Sequence, residues 1–101
     1  MPITLTCRDN TLTAALSGEI DHHGAREMMN QLSDAIAERL PARLTLDMSG
    51  VTFMDSSGIA VLLRALRQTQ QIGGALRVTN IPIQARRVLD AAGVGRLITL
   101  D

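Results

Sequence analysis

Two short stretches concentrate the residues that could do chemistry, "SGEIDHHGA" at 17–25 and "VTFMDSSGIAVLLRAL" at 51–66. In the second, an apolar run ends at Met54, Asp55, Ser56, Ser57 and Gly58 follow, and an apolar helical pattern begins. Two serines behind an aspartate at the mouth of a helix admit several chemistries. Asp55 or Ser56 can occupy the N-cap position, accepting from an N–H two or three residues on, while Gly58 permits a tight turn. Exposed backbone N–H groups and the positive end of the helix dipole can hold an anion. A serine there can also be a nucleophile or a phosphoacceptor. A hydrolase would need the G-x-S-x-G elbow, but the residues two before Ser56 and Ser57 are Met54 and Asp55, so the elbow is absent. His22 and His23 offer a base in principle, but nothing in the sequence fixes either near the serines.

In the first stretch, Glu19, Asp21, His22 and His23 leave a strand and open a helix. Adjacent histidines point in different directions, whereas a metal pair on one helix face wants a spacing of three or four. The expectation is therefore no metal site: Asp21 caps the helix, and the histidines lie exposed in its first turn, where they can also meet a partner.

The elements that must carry these stretches follow from periodicity. "ITLTCRDNTLTAALSGEI" reads as a hairpin turning at Asp9–Asn10, with Ile3, Leu5 and Cys7 and then Leu12, Ala14 and Leu16 facing the core, before Gly18 breaks the second strand. From about His23 to Leu40, Ala25, Met28, Met29, Leu32, Ala35 and Ile36 recur at helical spacing, and Pro41 ends the run. Leu44, Leu46 and Met48 alternate as a strand. A helix after Gly58 turns Ile59, Leu62, Leu63 and Leu66 inward and closes at Gly73–Gly74. "ALRVTN" is a strand, Pro82 suits a first helical turn, and Ile83, Val88, Leu89 and Ala92 make a stripe that stops at Gly93. "RLITLD" reads as a last strand. The order ββαβαβαβ is an α/β fold: a mixed β-sheet covered by helices mainly on one face, with the hairpin as its antiparallel edge.

Composition narrows the function. A chain of 101 residues, 46% apolar, suits one domain spanning 1–101 with an aliphatic core, since Phe53 is the sole aromatic residue. Ten arginines cancel ten carboxylates, and there is no stacking platform, so neither direct nucleic-acid binding nor an anionic membrane surface is expected. Cys7 is the single cysteine, which rules out an internal disulfide and a Cys-based zinc site. The first ten residues carry no basic-then-apolar signal pattern and no run reaches a membrane span, so a cytoplasmic protein is the expectation.

"GEIDHH", followed after a helix and a strand by "FMDSSGIAVLL" and then "QIGG", resembles the anti-sigma factor antagonist family of STAS domains, above all the sporulation-type antagonists of anti-sigma-F factors. The likeness runs from about Thr11 to Leu100, and the STAS fold it implies agrees with the element order already read. The resemblance implies that Ser56, the first serine of DSSG, is the phosphoacceptor. It also implies a partner-binding face made of Glu19, Asp21, His22, Asp55, Ser56, Ser57 and Gly58. The implied partners are an anti-sigma factor with serine kinase activity, bound by the unphosphorylated form, and a phosphoprotein phosphatase that restores that form. ATP and ADP would belong to the kinase: this chain has no Gly-rich phosphate cradle, no cofactor and no catalysis of its own. A small-anion or nucleotide sensor using the same helix start is the alternative.

Overall fold

The computed structural model describes residues 2–101. Strand β1 (Ile3–Arg8) turns at Asp9 and Asn10, both with positive φ, into β2 (Thr11–Ile20). Helix α1 (His22–Arg39), β3 (Arg43–Met54), α2 (Ser57–Gln71), β4 (Ala75–Thr79), α3 (Ile83–Ala91) and β5 (Thr99–Leu100) follow. The sheet order is β1-β2-β3-β4-β5, with β1 antiparallel to β2 and every other pair parallel.

Each crossover steps to the next strand in the same direction, so right-handed connections place all three helices on one face. Burial agrees. Leu12, Ala14 and Leu16 of β2, Leu44, Leu46 and Met48 of β3, and Leu76 and Val78 of β4 are buried with Met28, Leu32, Ile36, Val61, Leu62, Ala65 and Leu89 of the helices in one core. Thr4, Thr6, Thr52 and Arg77 are exposed. The Gly73–Gly74 closure of α2 forms as expected, with Gly73 N–H donating to Gln70 O at 3.0 Å and Gly74 N–H to Thr69 O at 2.9 Å.

Several expectations shift. Gly18 does not end β2; with φ +82 it sits in the strand at register irregularities between Ala15 and Glu19, and pairing continues to Ile20. Glycine accommodates such a bulge because it carries no Cβ. β3 likewise runs unbroken to Met54. Leu5 and Cys7 pair with Ala14 and Leu12 and so lie on the core face, yet both are exposed, Leu5 at 45%. On the same edge strand Ile3 is buried, and Leu5 lines an open cleft against Gln31, Ala35 and Glu38 of α1. On α2 the buried line is Gly58, Val61, Leu62, Ala65 and Thr69, with Ile59, Leu63 and Leu66 only half-buried at its margins. Thr69 satisfies its hydroxyl by donating to Ala65 O at 2.6 Å. On α3, Ala85 and Leu89 are buried, whereas Ile83 is 74% exposed and Ala92 is exposed. The terminal strand shrinks to Thr99–Leu100, because Val94–Arg96 form a short 3₁₀ turn that buries Val94.

Candidate functional site

The fold brings the two chemistry-bearing stretches side by side. β2 and β3 are parallel neighbours whose last residues pair, Glu19 with Phe53 and Ile20 with Met54. The pairing is extended by one more bond, Asp55 N–H to Ile20 O at 3.2 Å. Asp21 and Asp55 therefore leave adjacent strand ends together, and each starts a helix at the carboxyl edge of the sheet, where parallel-sheet proteins collect their sites.

Asp21 caps α1: its Oδ1 accepts from Gly24 N–H at 2.8 Å. That bond, outweighing partial desolvation, holds its carboxyl below the ordinary 3.8. His22 and His23 are exposed in the first turn, their rings edge-to-face with centroids 5.9 Å apart. Among the described residues no three His, Cys, Asp or Glu side chains gather as a metal-binding group.

At the second helix start, the cap falls to Asp55. Its Oδ1 accepts from Ser57 N–H at 2.8 Å and its carbonyl from Gly58 N–H at 3.0 Å, while the Ser56 carbonyl accepts from Ile59 N–H at 3.1 Å. Ser56 itself is helical, at φ −63 and ψ −17, is exposed, and makes no side-chain cap. Its hydroxyl stands free at the tip of a helix that another residue caps. The same bonds correct the idea of an open anion cradle, because the N–H groups of Ser57, Gly58 and Ile59 already have acceptors within the chain.

Gly58 is buried: a Cβ there would overlap Cγ and Sδ of Met54, itself fully buried. Its part is to seat the helix start on the strand end rather than to offer a contact surface. Ser57 is half-buried and faces a groove of about 340 Å³ between α1 and α2, lined also by His22, Arg26, Met29, Asn30 and Arg64. The groove thus brings His22 near Ser57, while Glu19 is exposed beside Phe53.

Sequence reasoning missed two residues here. Phe53 is 41% exposed, although it lies in an apolar run; the register irregularities in the β2–β3 pairing take Val51 and Met54 inward and leave it outside. Gln84, an unremarkable polar residue of α3, makes two hydrogen bonds to the backbone of Met54. No local signal marks Gln84, since its partner is 30 residues away.

The comparisons with known proteins agree with this geometry. The STAS domain profile matches residues 2–101. The anti-sigma F factor antagonist of Paenibacillus polymyxa is 33% identical over 89 residues, covering 88% of this chain and 76% of that protein. The anti-sigma factor antagonist SpoIIAA in its unphosphorylated form superimposes with a TM-score of 0.83 at 25% identity, over 98% of this chain and 87% of that one. The Bacillus cell fate determinant SpoIIAA in the phosphorylated form does so with a TM-score of 0.74, again at 25% identity, over 98% and 90%. Matched along all its described length and folded like these relatives, the chain belongs to the STAS domain family.

Proposed function

We propose that this protein is an anti-sigma factor antagonist switched by phosphorylation of Ser56. Unphosphorylated, it binds an anti-sigma factor that is also a serine kinase and so releases a sigma factor. A phosphate on Ser56 ends that binding, and a phosphatase restores it. The protein is a cytoplasmic binding module without catalysis of its own. The observation that carries the reading is the free, exposed Ser56 hydroxyl on a helix start whose cap is supplied by Asp55. Its location on a STAS fold related to named antagonists supports the partner class.

The physics of the switch is local. A phosphate adds about 1.5 to 2 negative charges at neutral pH. The helix dipole tolerates that charge, and the bonds that hold the turn do not use the Ser56 hydroxyl, so the fold survives. On a contact face beside Asp55, the same charge meets repulsion and must be desolvated on docking. A penalty of about 3 kcal/mol, more than a hundredfold in affinity, is enough to release a partner. The partner face comprises exposed Glu19, His22 and Ser56 with half-buried Asp21, Asp55 and Ser57, set on the frame that Gly58 fixes. The anion-sensor alternative loses ground because the first-turn N–H groups it would use are taken.

The test is incubation of the purified protein with ATP and the GHKL-type serine kinases of its source organism, followed by peptide mass spectrometry. Labelling confined to Ser56 and abolished in Ser56→Ala supports the reading. Equal labelling of Ser56→Ala removes the site assignment.

A further inference from the structure

We infer that Gln84 is a positioning residue for Ser56, acting through the end of β3. This deepens the phosphorylation reading and rests on it. Strand β3 outruns its neighbour β4. β4 ends at Thr79, opposite Asp47, whereas β3 continues to Met54. On its β2 side the extension is paired to the last residue. On its β4 side no strand among the described residues accompanies it beyond Asp47.

Backbone groups alternate between the two edges of a strand. Asp55 N–H points toward β2, where it meets Ile20 O. The N–H and C=O of Met54 therefore point to the edge that β4 has left. There the Gln84 side chain meets both: Met54 N–H donates to Gln84 Oε1 at 2.8 Å, and Gln84 Nε2 donates to Met54 O at 2.8 Å. A primary carboxamide carries one acceptor and one donor side by side, as a neighbouring peptide does. Gln84 thus stands in for the missing strand. Neither Glu at neutral pH, which cannot donate, nor Met, which is of similar length, can reproduce that pair.

What the clamp holds is the keystone of the site. The Met54 side chain lies under Gly58 and seats the start of α2. The next residue, Asp55, caps that helix, and Ser56 follows with no side-chain cap bond of its own. The orientation of the Ser56 hydroxyl is inherited from Met54 and Asp55. Gln84 is in turn fixed from α3, whose Ala85 and Leu89 are buried in the core. Gln84 itself is largely exposed, so removing its carboxamide opens no cavity in the core.

The experiment compares wild type, Gln84→Ala, Gln84→Met and a control on the same helix, Arg87→Ala. Amide hydrogen exchange at Met54 is read by NMR on the isolated proteins. The kcat/KM of Ser56 labelling by the GHKL-type kinase identified with wild type is measured on the same samples. In both Gln84 variants Met54 exchange should accelerate about tenfold or more and kcat/KM should fall about tenfold, as expected for two lost hydrogen bonds. The melting temperature should stay close to wild type, and Arg87→Ala should change neither reading. Unchanged Met54 exchange in both variants overturns the clamp. Accelerated exchange with unchanged kcat/KM overturns the positioning role and leaves the phosphorylation reading standing. If wild type is not labelled at Ser56, the positioning role falls with the reading beneath it, and accelerated Met54 exchange in the same samples identifies that reading as the part that failed.

Discussion

Ser56 and Ser57 are adjacent and chemically alike, yet their surroundings assign them different work. Ser57 is half-buried in the α1–α2 groove and gives its backbone N–H to Asp55, whereas Ser56 is exposed with its side chain making no cap. Both Asp and Ser are capping residues, so the sequence restricted the cap to Asp55 or Ser56 without separating them; only the backbone angles of the turn decide. Gly58 reads in the sequence as a glycine that permits a tight turn, but it lies in the first turn of α2 without a positive φ. What requires a glycine there is close packing against Met54, a contact that depends on the strand register. It yields a direct expectation. Gly58→Ala should destabilise the protein by about 1–3 kcal/mol through overpacking against Met54, exceeding the helix-propensity gain of up to about 1 kcal/mol. Urea unfolding of Gly58→Ala, Met54→Ala and the double variant checks it. The double variant should fall short of the sum of the single effects, because the added methyl then enters space that Met54 has left.

At the scale of elements, the two helix starts follow one plan: a strand end and then an aspartate whose carboxylate accepts from an N–H two or three residues on. The aspartates were readable from spacing, and so were the long helices, whose stripes repeat over many residues. The short elements were not. Ile83 and Ala92 fit a stripe by period but lie at the ends of α3, beyond what Ala85 and Leu89 press into the core. The tail read as a strand because Leu97, Ile98 and Leu100 are apolar, while the structure turns Leu97 outward and keeps only Thr99–Leu100 in the sheet. Hydrogen bonding at the strand ends also sets a pH dependence. Asp21 is held below 3.8 by Gly24 N–H. Asp47 is held below 3.8 by Ser49 N–H and then the Asn80 side chain, against a desolvation that raises it. Carboxyls depressed in the folded state contribute stability above the unfolded value, and that contribution is lost as pH falls through the folded values. Urea midpoints should therefore hold steady above about pH 5 and decline below about pH 4. Asp21→Ala should have a lower midpoint at neutral pH and a shallower acid decline than wild type.

For the molecule as a whole, the order of elements, the antiparallel edge hairpin, the cover of helices mainly on one face and the aliphatic core were legible, because parallel crossovers and alternation along the strands leave few other arrangements. The strand order β1-β2-β3-β4-β5 had to come from the structure. The site was legible as two motifs. Their side-by-side placement comes from the pairing of the β2 and β3 ends. The hold of Gln84 on the second of them at Met54 was not legible, since one carboxamide replacing a strand neighbour has no sequence pattern. A neutral net charge of +0 means that a phosphate at Ser56 changes the local field at one edge rather than adding to an existing one. The phosphorylated protein should accordingly keep its fold, with an unaltered far-ultraviolet circular dichroism spectrum and amide shift changes gathered at the ends of β2 and β3 and the first turn of α2. Widespread loss of shift dispersion would mean that the switch is a refolding event instead. The measurement that tests the central claim most directly is titration calorimetry of the kinase partner against wild type, Ser56→Ala and enzymatically Ser56-phosphorylated protein. The account expects similar affinities for the first two and at least about a hundredfold weaker binding for the third. Equal binding of the phosphorylated and unphosphorylated forms would contradict it.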